Sequence, residues 1–171
     1  MTTAGEQTEA VPDNHVAPGF ETFFRATYAP LVRDLAVAAD DVEDAVQEAF
    51  VQAHLNWSKV AGFDDPRGWV RLVAVRKLLN RERRRSRGIK AIERLGVATD
   101  VRVESTLVPE LTAEIRRLPV RQRIAVALFY LCDLPLTEVA TTMGISTGAV
   151  KSTLAEGRKN LRLHLERDHD A

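Results

Sequence analysis

Residues Thr137–Leu154 read TEVATTMGISTGAVKSTL, and the spacing inside this stretch decides which fold the chain can adopt. Two helices crossing at a tight turn need a small residue where they touch, a residue that accepts positive φ at the turn, and apolar residues that dock the second helix on the first. Ala140, Gly144, Ile145, Val150 and Leu154 meet those needs in order. Ser146 stands where it can cap the second helix. The pattern predicts a helix-turn-helix whose second helix offers Ser146, Thr147, Gly148, Ala149, Lys151 and Ser152 to a major groove and its phosphates. An αα-hairpin packed on some other element has the same local pattern, so the rest of the chain has to choose between them.

Upstream of this motif, PELTAEIRRLP and VRQRIAVALFYLCDL read as further helices. Nearer the N-terminus, Phe20, Phe23, Phe24, Tyr28, Leu31, Leu35 and Ala38 recur at spacings of three and four, the helical repeat rather than strand alternation. Val42, Ala45, Val46, Ala49, Phe50 and Ala53 form a second stripe, with Asp40 or Asp41 as its N-cap. A third helix starts with an Asp65 cap and Pro66 in the first turn, and Trp69, Leu72, Val73, Leu78 and Leu79 are its expected anchors. No stretch reads as a sheet. The expectation is an all-α chain: a disordered tail over 1–18, a helical bundle over 19–87, a flexible linker over 88–108 and a helix-turn-helix domain over 109–167.

The 171 residues are 45% apolar and 28% charged, ordinary for a soluble globular chain of one domain or two small ones. The first 18 residues show no basic-then-apolar signal pattern, and no stretch approaches the roughly 20 apolar residues that cross a bilayer. Action in the cytoplasm, away from any membrane, is therefore expected. Cys132 is the single cysteine and reads as a small buried hydrophobe. His15, His54, His164 and His169 show no metal-ligand spacing, and no P-loop, dinucleotide fingerprint or nucleophile motif is present. No cofactor, metal or catalytic residue is expected, and the chain does not read as an enzyme.

A formal net charge of zero conceals strong segregation. Residues 1–66 hold 12 acids against 3 bases, residues 67–94 hold 11 bases against 2 acids, and the remainder is balanced. An acidic block followed by a basic one suggests two surfaces facing two partners. Seven of the bases fall between Arg76 and Arg87, at the end of an apolar helix. One or two arginines there would complement the helix dipole and stay solvated; seven repel one another enough to imply an anionic partner.

The segment Leu111–Arg162 resembles the minus-35-binding region four of bacterial sigma factors, through Leu118-Pro119, Gln122-Arg123, Glu138-Val139-Ala140, Gly144-Ile145-Ser146 and Val150-Lys151-Ser152. VEDAVQEAF (Val42–Phe50) and PRGWVRLVAVRKLLNRERRRSR (Pro66–Arg87) resemble sigma region two. With only these two regions and a short linker, the chain resembles the extracytoplasmic-function (ECF) subfamily of the sigma-70 family. That resemblance implies a factor that binds RNA polymerase core, recognises minus-10 and minus-35 promoter elements and directs transcription initiation. It implies that Asp41, Glu43, Asp44, Gln47 and Glu48 meet the clamp helices of the largest polymerase subunit, with the flap met through region four. Arg71, Arg76, Lys77, Asn80, Arg81, Arg83, Arg84, Arg85 and Arg87 would serve minus-10 recognition and melting. Lys151, Arg158 and Lys159 would supply minus-35 affinity. An anti-sigma factor and a monomeric free state are implied in the same way.

Two promoter elements about two helical turns apart lie roughly 70 Å from each other, a span that a 20-residue linker of at most about 65–70 Å plus two module widths can reach. The chain departs from the family at Lys77 and Arg81, where Asn and Asp are usual, and Gly157 interrupts the recognition helix. A stand-alone dimeric helix-turn-helix regulator is the competing reading, although the acidic module is a poor dimerisation element.

Overall fold

The computed structural model describes residues 19–88 and 107–169, so the expected tail and all but the ends of the expected linker lie outside the described residues. The described residues form eight α-helices and one π-helical turn, without a strand. In chain order these are α1 (Phe20–Leu35), α2 (Val42–Leu55), α3 (Trp57–Val60), α4 (Pro66–Ser86), α5 (Pro109–Arg116), α6 (Val120–Val126), the π turn (Ala127–Leu131), α7 (Leu136–Met143) and α8 (Thr147–His169). The short α3 and the π turn were not legible as separate elements in the sequence.

In the first set, α2 buries Val42, Ala45, Val46, Ala49, Phe50 and Ala53, the stripe read from its periodicity. Phe50 is the hub of an aromatic cluster, with the rings of Phe20, Phe23, Phe24 and Tyr28 of α1 at centroid distances of 5.0–6.5 Å. Such offset and edge-on pairs add to simple area burial. α4 begins as predicted: the Asp65 carboxylate accepts from the Gly68 N–H at 2.8 Å, and Pro66 occupies the first turn. A Cβ on Gly68 would sit 2.1 Å from that carboxylate, so glycine here keeps the cap in place.

The buried band of α4 differs from the one expected. Val70, Arg71, Ala74, Val75, Leu78 and Leu79 are buried, whereas Trp69, Leu72 and Val73 are half-buried. The cause is contact on more than one side, since α4 packs against α2 and also against α6 and α7 of the second set. A two-sided helix buries a broader, shifted band than a one-sided amphipathic stripe. Asp41 departs too: it occupies the N-cap position of α2, yet its carboxylate makes no cap hydrogen bond. It turns instead to Arg81 and Arg85 of α4.

The second set is ordered around the predicted turn. Gly144 adopts φ 67° and ψ 37°, and the Ile145 N–H donates to the Ala140 carbonyl at 3.1 Å, closing a Schellman-type end to α7. Ser146 then caps α8, its Oγ accepting from the Ala149 N–H at 3.1 Å. Val150 and Leu154 are buried behind it. Gly157, half-way along α8, lies close to α6: an added Cβ would meet Gln122 and Val126 at 3.7 Å, ordinary van der Waals distance.

The two sets pack face to face, and their buried residues form one continuous apolar cluster. α4 lies against α7 and α6, and α1 lies against the π turn. Arg71, 8% exposed, sits in this seam 3.8 Å from Asp65 and 3.9 Å from Glu138. Arg123, also buried, stands 3.9 Å from Asp40. Cys132 is half-buried in the same region, and burial, reinforced by the nearby Asp34 charge, pushes its thiol up to about 11. Among the described residues, no helix is long and apolar enough to cross a membrane and no cluster of potential metal ligands occurs.

Candidate nucleic-acid interface and its acidic neighbour

The Schellman turn and the Ser146 cap fix the start of α8, and that start is open. Ser146, Thr147, Gly148, Lys151 and Ser152 are exposed, with Ala149 half-buried. Free N–H groups and the positive end of the helix dipole lie here, a combination suited to phosphate. Arg158 and Lys159 are exposed but lie about 16 Å further along the axis at 1.5 Å per residue. Arg158 donates to the Tyr130 hydroxyl at 3.2 Å, which orients its guanidinium. Lys151, Ala155, Arg158 and Arg162 fall on one stripe by helical spacing, and all four are exposed. Arg162 was missed in the sequence, although counting eleven residues on from Lys151 finds it.

The basic end of α4 divides into two groups. Arg76, Asn80, Arg83, Arg84 and Arg87 are exposed and make no ion pair among the described residues. The others are engaged. Lys77 Nζ lies 2.7 Å from Glu48, Arg81 lies 2.6 Å from Glu48 and 2.8 Å from Asp41, and Arg85 lies 3.2 Å from Asp41. Arg71 is set apart from all of these, buried in the seam between the helix sets.

The acidic residues lie along the face of α2 next to α4. Asp44, Gln47 and Glu48 line a shallow depression with Val51, Gln52 and Lys77. Val51 and Leu55 are 59% and 75% exposed, apolar members of the same stripe that the sequence reading passed over. Glu43 is half-buried and accepts from the Tyr28 hydroxyl at 3.3 Å, and Gln47 donates to the same oxygen at 3.2 Å. The Lys77 hydrogen bond, aided by Arg81, outweighs partial burial and lowers the Glu48 carboxyl below the usual glutamate range. Burial opposes the charge on Arg81, but its bond to Asp41 and the nearby acids prevail and raise its pKa.

A helix-turn-helix set joined to a helical set that carries adjoining acidic and basic surfaces defines a class of two-part, DNA-directed regulators. Residues 25–88 match the model of sigma-70 region 2 and residues 110–161 match that of sigma-70 region 4. The chain is 31% identical over 144 residues to the ECF RNA polymerase sigma factor SigF of Caulobacter vibrioides, covering 81% of this chain and 79% of that protein. It is 27% identical over 145 residues to the ECF RNA polymerase sigma factor SigW of Bacillus subtilis, covering 73% and 75% of the two chains. The sigma factor RpoE of Bartonella quintana, solved with the anti-sigma factor NepR, aligns with TM-score 0.62 over 86% of this chain and 96% of that one, at 20% identity. That last likeness speaks for the fold alone. The chain belongs to the ECF subfamily of the sigma-70 family, and its function is that of an RNA polymerase sigma factor in transcription initiation.

Proposed function

We propose that this sigma factor docks on RNA polymerase core through the α2 face, reads and opens the minus-10 element with the basic end of α4, and reads the minus-35 element with the start of α8. The observation that carries this reading is the pairing, within one helical set, of an acidic face containing exposed Val51 and Leu55 with exposed arginines that make no ion pair among the described residues. Carboxylates on a rigid helix give fast, oriented association with a basic protein surface, and exposed apolar side chains beside them supply area to bury. Arg76, Arg83, Arg84 and Arg87 give a displaced strand a cationic track, with Asn80 as a hydrogen-bonding group among them. The helix-turn-helix set would contact the polymerase flap as well as DNA.

Engaging both elements requires the two helix sets to part, because the elements lie roughly 70 Å from each other and the sets here share a buried seam. The long, partly exposed ion pairs of that seam suit a contact meant to open. An anti-sigma factor of the kind captured with the Bartonella protein would hold the two sets and mask both surfaces. The free protein is read as a cytoplasmic monomer. The test is co-elution with purified core polymerase and protection of promoter DNA by the pair. Binding to core lost in Asp44→Arg and Val51→Asp variants is expected; undiminished binding in both would move the docking face elsewhere.

A further inference from the structure

We propose that Lys77, Arg81 and Arg85 form an electrostatic latch: in the free protein they neutralise Asp41 and Glu48, and a basic partner surface that takes over those carboxylates releases the three cations to nucleic-acid phosphates. The inference rests on the reading above, in which α2 meets a basic surface of the polymerase and the end of α4 meets DNA.

Four contacts of 2.6–3.2 Å join the two helices, and Arg81 is the centre, with one guanidinium nitrogen on Asp41 and the other on Glu48. Arg81, Lys77 and Asp41 are each about one-fifth to one-quarter exposed while Glu48 and Arg85 are about half exposed, so the Arg81–Asp41 pair is the one best shielded from solvent screening. Asp41 also gives up its helix-capping bond to serve it, and its second carboxylate oxygen is buried without a hydrogen-bond partner. A phosphate that drew Arg81 away would leave that carboxylate to Arg85 alone, at the longer distance of 3.2 Å, beside an incoming negative charge. DNA therefore meets resistance at these three bases that it does not meet at Arg83 and Arg84, which have no acid to leave among the described residues.

The same geometry works in reverse. A cationic surface laid on α2 competes for Glu48 and Asp41, and each pair it breaks on the acidic side leaves a base free. Two ligands that each dissolve the same internal pairs favour one another by equal factors, as linkage requires. Lys77 and Arg81 thereby place a coupling element between the two proposed binding surfaces.

The first test is the affinity of the full-length protein, without polymerase, for a fluorescein-labelled single-stranded 20-mer, read by anisotropy. Glu48→Gln should tighten binding about three- to tenfold, the range expected for releasing two partly shielded pairs. Asp44→Asn, the same change in net charge one turn earlier on an exposed residue with no ion pair among the described residues, should tighten it less than about twofold. Equal effects would overturn the latch. The second test is affinity for core polymerase, where Arg81→Gln should bind more tightly than wild type while Arg84→Gln should not; Lys77→Gln serves if Arg81→Gln fails to fold. Failure of the wild type to bind core would sink the polymerase reading and the release step with it, whereas normal core binding with equal effects of paired and unpaired variants would sink the latch alone.

Discussion

Arg71 of α4 stands 3.9 Å from Glu138 of α7, closing the seam between the two helix sets with a guanidinium that is almost fully buried. Its Nε has no hydrogen-bond partner, and its nearest carboxylates, Asp65 and Glu138, are both more than half exposed. Most of its value is therefore packing of the side-chain stem rather than charge pairing. Arg71→Ala should cost about 1–3 kcal/mol in urea unfolding, while Glu138→Ala should cost less than about 1 kcal/mol.

The position of Arg71 also separates it from the exposed arginines in DNA binding. Replacing Arg83 or Arg84 with alanine should reduce the salt slope of promoter-fragment affinity by about one per residue. With the two helix sets packed together, Arg71 is buried and cannot reach a phosphate. Arg71→Met should leave that slope unchanged in filter-binding titrations of the free protein.

Two glycines predict opposite outcomes. Gly144 has φ 67° with open space around it, so Gly144→Ala meets no clash and should lose roughly 1–2 kcal/mol from the left-handed backbone alone. Gly157 lies in a helix interior with room for a methyl group against Gln122 and Val126. Gly157→Ala should gain about 0.5–1 kcal/mol. Paired chemical denaturation curves of the two variants check both signs at once.

The raised Cys132 thiol gives a kinetic expectation. At about 11 against an ordinary thiol value of 9.0, the native thiolate fraction at pH 8 is smaller by about a hundredfold. Alkylation by iodoacetamide should be slower than in urea by at least that order and should speed up only as the protein unfolds. Fast native alkylation would show that this part of the seam opens freely.

Asp34 and Glu48 should pull the acid limb of stability in opposite directions. Burial raises the Asp34 carboxyl despite the charges of Arg67, Arg33 and Arg71, so the folded state holds its proton more tightly than the unfolded state, and this group favours folding as pH falls through its raised value. The Glu48 carboxyl is lowered by its bond to Lys77, so its contribution is present above the unfolded glutamate value and disappears as pH falls through the lower folded one. Thermal melts between pH 3 and 7 should show a shallower acid loss for Glu48→Gln and a steeper one for Asp34→Asn.

The readable and unreadable parts of this chain divide along a physical line. The α2 stripe, the Asp65 and Ser146 caps and the Gly144 turn were legible because each is fixed by neighbours within a few residues. The α4 band was misread because periodicity reports one buried face, and α4 is covered on another side by a second helix set that is distant in sequence, where Arg71 meets Glu138. Asp41 had the composition of a cap, but Arg81, forty residues on, outcompetes a backbone N–H for its carboxylate. The candidate surfaces followed the same rule. Exposed Arg83 and Arg84 could be read from charge density, whereas the engagement of Lys77, Arg81 and Arg85 with acids depends on how α2 and α4 cross.

Run-off transcription with purified core polymerase, on a library of promoter fragments taken from upstream of mapped transcript starts, tests directly whether this protein directs initiation. Discrete transcripts are expected that require both core and this protein, start at one consistent spacing downstream of paired minus-35 and minus-10 elements, and vanish when Arg83, Arg84 and Arg85 are all replaced by alanine. No added transcript from any fragment, with core shown active by another sigma factor, would contradict that role.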